Sequence, residues 1–115
     1  MIPYYVQDFE KLIEQTFDGV ILWVMWHPKG AHLSSKNRDV LSLDRIEVPI
    51  KARGKGVGTA VLKGLISLAD EYKFDITLTP SEEFGSDLKS LRKWYRHHGF
   101  RVNPLSWAES RYTPK

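Results

Sequence analysis

The 115-residue sequence has no cysteine, no low-complexity segment and no long hydrophobic run. Without cysteine, the chain has no disulfide bond, no thiolate metal site and no cysteine nucleophile. Its longest apolar run, residues 20–26, is strand-sized and falls well short of the ~20 apolar residues that a membrane helix needs. The N-terminus lacks a basic region followed by an apolar segment, so no secretory signal is predicted. These absences favour a cytoplasmic protein that makes no membrane contact.

Size and charge narrow the function classes further. A chain of this length is expected to form a single domain, residues 1–115, and its 42% apolar content is enough for a hydrophobic core. The net charge of +3 and the isoelectric point near 9.2 suit a polyanionic ligand or partner. Phosphate-bearing coenzymes and nucleic acids both belong to this class, and solubility alone explains the charge equally well.

Hydrophobic periodicity predicts alternating helices and strands. Helices are expected over residues 6–17, from residue 57 onward and over 87–98; strands are expected over 20–26, 40–48, 75–79, 100–102 and 110–112. A further short strand is expected within residues 31–39. This order predicts an α/β domain with a mixed, mostly antiparallel central sheet flanked by helices.

The same periodicity predicts which side chains face the core. In the first helix the predicted core face consists of Phe9, Leu12, Ile13 and Thr16. In the strand over 40–48, strict alternation places Leu41, Leu43, Arg45 and Glu47 on one face and Ser42, Asp44, Ile46 and Val48 on the other. Ser86 is the predicted N-cap of the last helix.

A basic, glycine-rich loop separates the second strand from the second helix. Residues 53–58 read Arg-Gly-Lys-Gly-Val-Gly. Glycine lets the backbone approach a ligand closely, and the helix start presents unpaired N–H groups and a positive dipole end. Arg53 and Lys55 add positive charge at the same place. This combination indicates a phosphate site rather than a plain glycine turn.

Two well-known phosphate loops do not match this one. A P-loop ends in Gly-Lys-Ser/Thr, whereas this loop continues as Val57-Gly58-Thr59. The dinucleotide fingerprint Gly-x-Gly-x-x-Gly needs its third glycine one residue later than Gly58.

The pattern Arg53-x-x-Gly56-x-Gly58 resembles the acetyl-CoA motif of the GNAT superfamily of N-acetyltransferases. A second match, Tyr95-x-x-x-Gly99-Phe100, follows in the expected order with a predicted strand between the two. The resemblance covers about residues 40–102, and the N-terminal part is similar only in layout. The details at residues 78–81 and 84–86 are most similar to small members encoded by bacteriophages.

The resemblance implies an acetyl-CoA-dependent transferase that acetylates a primary amine. It implies that the N–H groups from Lys55 to Thr59 hold the pyrophosphate, and that the backbone of Ile46 and Val48 pairs with the pantetheine arm where two strands splay apart. The implied coenzyme-binding residues are Ile46, Val48, Arg53, Gly54, Lys55, Gly56, Val57, Gly58 and Thr59.

The catalytic groups follow less directly from the resemblance. It makes Tyr95 the candidate general acid that protonates the departing thiolate, whereas periodicity alone also fits a core tyrosine. The general base stays open among Asp44, Glu47 and the pair Glu82 and Glu83, with a water chain as the alternative.

One departure from the family pattern is also visible. Leu88 stands where the family frequently has an asparagine, seven residues before the tyrosine. Asp87 or Ser86 is then the substitute, and this part of coenzyme binding stays open.

The sequence and the resemblance also suggest an acceptor and two rival functions. A protein lysine is the favoured acceptor, no metal site is expected, and the resemblance leaves a homodimer open. A non-catalytic GNAT-fold binding or inhibitory protein is one rival. A nucleic-acid-binding module is another rival, suggested by the basic residues of the last predicted helix and just after it. It is disfavoured because basic residues near a helix C-terminus complement the helix dipole. These cations are Lys89, Arg92, Lys93, Arg96 and Arg101.

Overall fold

The computed structural model describes residues 2–30, 38–79, 87–102 and 108–114. The helices are α1 (Tyr4–Thr16), α2 (Val57–Tyr72) and α3 (Leu88–His97), and a short 3-10 helix spans Ile50–Ala52. The strands are β1 (Ile21–His27), β2 (Val40–Glu47), β3 (Asp75–Leu78), β4 (Arg101–Val102) and β5 (Ser110–Tyr112). The strand expected within 31–39 lies mostly outside the described residues. None of the helices in the described ranges is long and apolar enough to cross a membrane.

The strands form one five-stranded sheet in the order β1-β2-β3-β5-β4. The β2–β3 pair is parallel and is connected through α2, whereas the other three pairs are antiparallel. The predicted α/β domain with a mixed, mostly antiparallel sheet and flanking helices is therefore confirmed.

One face of the sheet is covered by α1 and α2 and is called the helix face; the opposite face is called the outer face. The helix face carries Leu22, Leu41 and Ile76, which belong to the same buried cluster as the apolar sides of α1 and α2. The outer face, which points away from this cluster, carries Met25, Ser42 and Thr77, which are aligned across β1, β2 and β3. Burial of the helix face supplies the main hydrophobic stabilisation of the domain.

The core face of helix α1 matches the prediction at Phe9 and Ile13 and differs from it at Leu12 and at Thr16, which is exposed. Val6 and Ile13 are buried, and the ring of Phe9 lies against Gly64 of α2. Leu12 is 58% exposed, so its predicted core position is wrong. One residue along a helix turns the side chain by about 100°. Contact with both β1 and α2 selects the face of Val6, Phe9 and Ile13, which adds Val6 to the predicted residues and leaves Leu12 outside.

A β-bulge interrupts β2 next to its midpoint. Trp23 of β1 pairs with Arg45 and the next residue, Val24, pairs with Leu43, which leaves Asp44 as the extra residue. The bulge shifts the alternation of every later side chain. Ile46 pairs with Leu22 on the helix face, and Arg45 joins Trp23 on the outer face. The prediction from strict alternation is therefore wrong beyond Leu43.

Candidate functional site

A cleft of about 710 Å³ opens at the carboxyl end of β2. It arises because β2 and β3 are paired only from Val40 to Ser42, after which β2 continues to Glu47 without a β3 partner. The exposed end of β2, the glycine loop, the first turn of α2 and one side of α3 line this cleft. The strands thus separate at the point where the resemblance implies a bound pantetheine arm.

The glycine loop presents backbone donors to the cleft. Gly54 and Gly56 both have φ of 78°, a left-handed conformation that favours glycine, and Gly56 is the N-cap of α2. The first helical hydrogen bond of α2 runs from Ala60 N–H to Gly56 O at 2.9 Å. The N–H groups of Val57, Gly58 and Thr59 therefore have no acceptor within the helix, and all three residues line the cleft. This geometry suits an anion.

The two basic residues of the loop are placed differently. Arg53 lines the cleft, and its Nε donates to the carbonyl oxygen of Val48 at 3.2 Å. Lys55 is exposed and is not among the lining residues. The loop thus contributes one guanidinium to the cleft wall, held next to the end of β2.

Helix α3 forms the opposite wall, and its start differs from the prediction. The N-cap is Asp87 rather than Ser86, because the Asp87 carboxylate accepts from Ser90 N–H at 2.8 Å. This hydrogen bond, together with one from the Ser90 hydroxyl, lowers the pKa of Asp87. Asp87 is engaged in capping and does not line the cleft, whereas Ser90 does. Ser86 lies outside the described residues.

Trp94 and Tyr95 carry the aromatic side of the cleft. A Cβ built on Gly58 would lie 4.0 Å from Cη2 of Trp94, so α3 touches the first turn of α2. The Tyr95 ring packs 5.7 Å from the ring of Phe100 and borders the cleft. Burial raises the pKa of the Tyr95 phenol, which is therefore protonated at neutral pH and is a hydrogen-bond donor.

The two carboxylates predicted on β2 have different environments. Asp44 is exposed, lines the cleft and accepts a hydrogen bond from the Ser42 hydroxyl. Glu47 does not line the cleft; its carboxylate accepts from Nε1 of Trp23 at 3.2 Å and lies 3.7 Å from Nε of Arg45. Glu82 and Glu83 lie outside the described residues.

The cleft therefore brings together most of the predicted site. Among the residues that line it are Asp44, Ile46, Val48, Arg53, Gly54, Gly56, Val57, Gly58, Thr59 and Tyr95. Glu47 and Lys55 stay outside it. The position of Trp94 in the cleft wall was not predicted from the sequence, because only the packing of α3 against α2 reveals it.

The histidines form no site in the described part of the chain. His27 is buried at the end of β1 and does not line the cleft. His98 packs edge-on against Trp94, and its Nδ1 lies 2.9 Å from the Trp94 carbonyl oxygen. No group of three or more potential metal ligands occurs among the described residues.

Comparison with known proteins adds no assignment to this geometry. No model of a known protein family matches the chain, and no curated protein matches it in sequence.

Proposed function

We propose that this protein is an acetyl-CoA-dependent N-acetyltransferase that moves an acetyl group to a primary amine. One observation carries the proposal: a single cleft is bordered by the anion-binding start of α2 on one side and by the protonated Tyr95 phenol on the other. Acetyl-CoA carries a pyrophosphate at one end and a thioester at the other, so it needs both features in one cavity.

The end of the cleft formed by β2, the glycine loop and the start of α2 suits the coenzyme for two reasons. The N–H groups of residues 57–59, which have no acceptor within the helix, and the guanidinium of Arg53 supply donors and positive charge for a pyrophosphate. Beyond Ser42, the backbone at Ile46 of β2 and at Val48, just after the strand, has no β3 partner. Apart from the Val48 carbonyl oxygen, which accepts from Nε of Arg53, this backbone is available to the amide groups of a pantetheine arm, much as a sheet edge accepts an added strand.

The chemistry then needs one acid and one base. The amine lone pair attacks the thioester carbonyl carbon, and the C–S bond breaks as the tetrahedral intermediate collapses. Tyr95 donates its phenolic proton to the departing thiolate, because it borders the cleft and its buried phenol carries its proton at neutral pH. The proton lost from the amine goes to the base or to water.

Asp44 is the better placed of the two described carboxylates for the role of base. It is at the cleft, and the bulge leaves it outside the strand ladder. Glu47 is occupied by Trp23 and Arg45 on the outer face. Asp44 therefore takes the amine proton in this mechanism, and the acceptor amine approaches along its side of the cleft.

Acetyl transfer tests the proposal directly. The protein is incubated with acetyl-labelled acetyl-CoA and, separately, with a cell lysate, spermidine and kanamycin as acceptors. We expect label in lysate protein, located on lysine by mass spectrometry, with release of one free coenzyme A per acetyl group transferred. Transfer to spermidine or kanamycin alone would contradict the protein acceptor, and transfer to no acceptor would contradict the enzyme.

Two tyrosine variants make the test specific to the cleft. Tyr95→Phe removes the acid and is expected to lower kcat about 100-fold while leaving the Kd for acetyl-CoA unchanged. Tyr4→Phe is the matched control, because Tyr4 is 68% exposed on α1 and does not line the cleft. Equal rates for Tyr95→Phe and Tyr4→Phe would remove Tyr95 from the mechanism.

A further inference from the structure

We propose that an apolar stripe on the outer face of β1 docks the polypeptide around the acceptor amine and selects lysines flanked by apolar residues. The stripe consists of Ile21, Trp23 and Met25 and is called the β1 stripe below. The inference rests on the proposed function, because it concerns the second substrate of the same site.

The β1 stripe is an unusual surface for a small domain. Its three side chains are 42%, 52% and 53% exposed in chain order, and they alternate with Leu22, Val24 and Trp26, which pack against the core. No charged residue interrupts the strand from Ile21 to Trp26. Contiguous exposed apolar side chains of this kind mark interaction surfaces.

The β1 stripe is continuous with the rim of the cleft. Trp23 pairs across the strands with Arg45, and Arg45 lines the cleft. Neighbouring strands lie about 4.8 Å apart, so the stripe is one strand away from the cleft edge. A lysine side chain from a segment lying on the stripe therefore reaches the cleft by crossing β2.

The Asp44 carboxylate favours an ammonium group at the rim of the cleft, because the positive charge of the neighbouring Arg45 is offset by Glu47 at 3.7 Å. The Ser42 hydroxyl, on the outer face, holds the Asp44 carboxylate where that face meets the cleft. Glu47 is already engaged by Trp23 and Arg45, so Asp44 is the one of the two β2 carboxylates that is presented to an incoming cation. At the glycine loop, the guanidinium of Arg53 repels a cation from that part of the cleft.

The arrangement fits a polypeptide better than its rivals. A small amine reaches Asp44 without covering three large apolar side chains, which would stay exposed to water. A second copy of this chain brings no cation on its own stripe, and its Arg45 is paired with Glu47. A lysine with apolar neighbours supplies both the cation and the apolar contact.

Steady-state kinetics with matched peptides test the inference. One ten-residue peptide carries a single lysine between leucine and valine residues, and a second carries it between serine and glycine residues. Nα-acetyllysine is the small acceptor that contacts Asp44 alone. We expect KM for the apolar-flanked peptide to be about tenfold lower than for the polar one, as burial of one or two side chains provides.

Variants separate docking from chemistry. Met25→Ser and Trp23→Ala are each expected to raise KM for the apolar-flanked peptide about tenfold, with kcat and the KM for Nα-acetyllysine unchanged. Trp23→Ala also removes the hydrogen bond to Glu47, whereas Met25→Ser does not. If both variants raise KM equally, the lost apolar contact and not the lost hydrogen bond is the cause. Val102→Ser, at an 81% exposed apolar side chain on β4 at the other sheet edge, is the control.

Each outcome decides a different claim. Equal KM values for the two peptides, or an unchanged KM in Met25→Ser, overturn docking on the β1 stripe while leaving the transferase intact. A wild-type dimer in sedimentation that Met25→Ser converts to a monomer shows a second copy on the stripe and also overturns the inference. Absence of transfer to the peptides and to Nα-acetyllysine overturns the proposed function and this inference with it.

Discussion

The indole of Trp94 on α3 lies against Gly58 in the first turn of α2, with its Cη2 atom 4.0 Å from the position of an added Cβ. This contact joins the two walls of the cleft, because Gly58 belongs to the proposed phosphate-binding wall and Trp94 precedes the candidate acid Tyr95. A distance of 4.0 Å is an ordinary van der Waals separation. The first turn of α2 therefore tolerates a methyl group at Gly58 without moving α3.

A comparison of two glycines in α2 tests the packing. Gly58→Ala is expected to leave stability unchanged or to raise it by up to about 1 kcal/mol through helix propensity. At Gly64 an added Cβ would lie 2.2 Å from Cε1 of Phe9, so Gly64→Ala must displace the Phe9 ring or α1 itself. We expect it to lower the free energy of unfolding by about 1–3 kcal/mol in urea titrations followed by circular dichroism.

A second-site change provides the control for that prediction. Phe9→Leu in the Gly64→Ala background shortens the side chain that meets the new methyl group, so it is expected to recover part of the lost stability. Equal stability of Gly58→Ala and Gly64→Ala would contradict the described packing of α1 on α2.

The sequence predicted the elements well because helix and strand periods are local properties. The spacing of Val57, Val61 and Leu65 is sufficient to identify α2, and these three residues are indeed buried. The bulge at Asp44 could not be predicted, because an extra residue in β2 is defined only against its partner strand. Leu12 was misplaced for a related reason: several apolar residues compete for one helix face, and neighbouring elements decide among them.

In the candidate site, too, the locally encoded features were predicted and those that depend on other strands or on a single contact were not. The glycine loop was predicted from adjacent residues, since its backbone freedom, its charge and the helix start are all encoded within residues 53–59. The difference between Asp44 and Glu47 depends on the bulge and on Trp23, which lies on another strand. The N-cap of α3 was wrong by one residue, because Asp87 and Ser86 are both capping residues and only the bond to Ser90 selects Asp87.

The buried ion pair between Asp75 and Arg111 gives a stability prediction. Their side chains are 4% and 10% exposed, and Nη2 of Arg111 lies 2.7 Å from Oδ2 of Asp75. Arg111→Leu leaves the carboxylate buried without its cation and is expected to cost about 3–5 kcal/mol. Asp75→Asn added to Arg111→Leu removes the uncompensated charge and should recover part of this loss. A cost below about 1 kcal/mol for Arg111→Leu in urea unfolding would contradict the buried pairing.

Alkaline pH is expected to destabilise the fold through Tyr112. Burial, followed by the hydrogen bond that its hydroxyl donates to Asp70, raises the pKa of Tyr112 to about 12 from an ordinary value of 10.0. Below pH 10 the phenol is protonated in both the folded and the unfolded chain, so its contribution to stability is fully present. As the pH rises from about 10 towards 12, the unfolded chain ionises first and this contribution is lost.

Urea midpoints at about pH 9 and about pH 11 measure this effect. We expect a clear fall in the wild-type midpoint and a smaller fall in Tyr112→Phe, which has no phenol to ionise at that position. Identical pH dependence in Tyr112→Phe and the wild type would contradict the assignment to Tyr112.

Calorimetric titration with acetyl-CoA tests whether the glycine loop is a coenzyme site. NAD is the comparison ligand, and two charge reversals are the comparison variants. Arg53→Glu alters the cleft wall, whereas Lys63→Glu places the same charge change at an exposed position of α2 that does not line the cleft. We expect saturable binding of acetyl-CoA but not NAD to the wild type and to Lys63→Glu, and loss of acetyl-CoA binding in a folded Arg53→Glu protein. No binding of acetyl-CoA to the wild type, or equal affinity in Arg53→Glu, would contradict the assignment of the glycine loop as a coenzyme site.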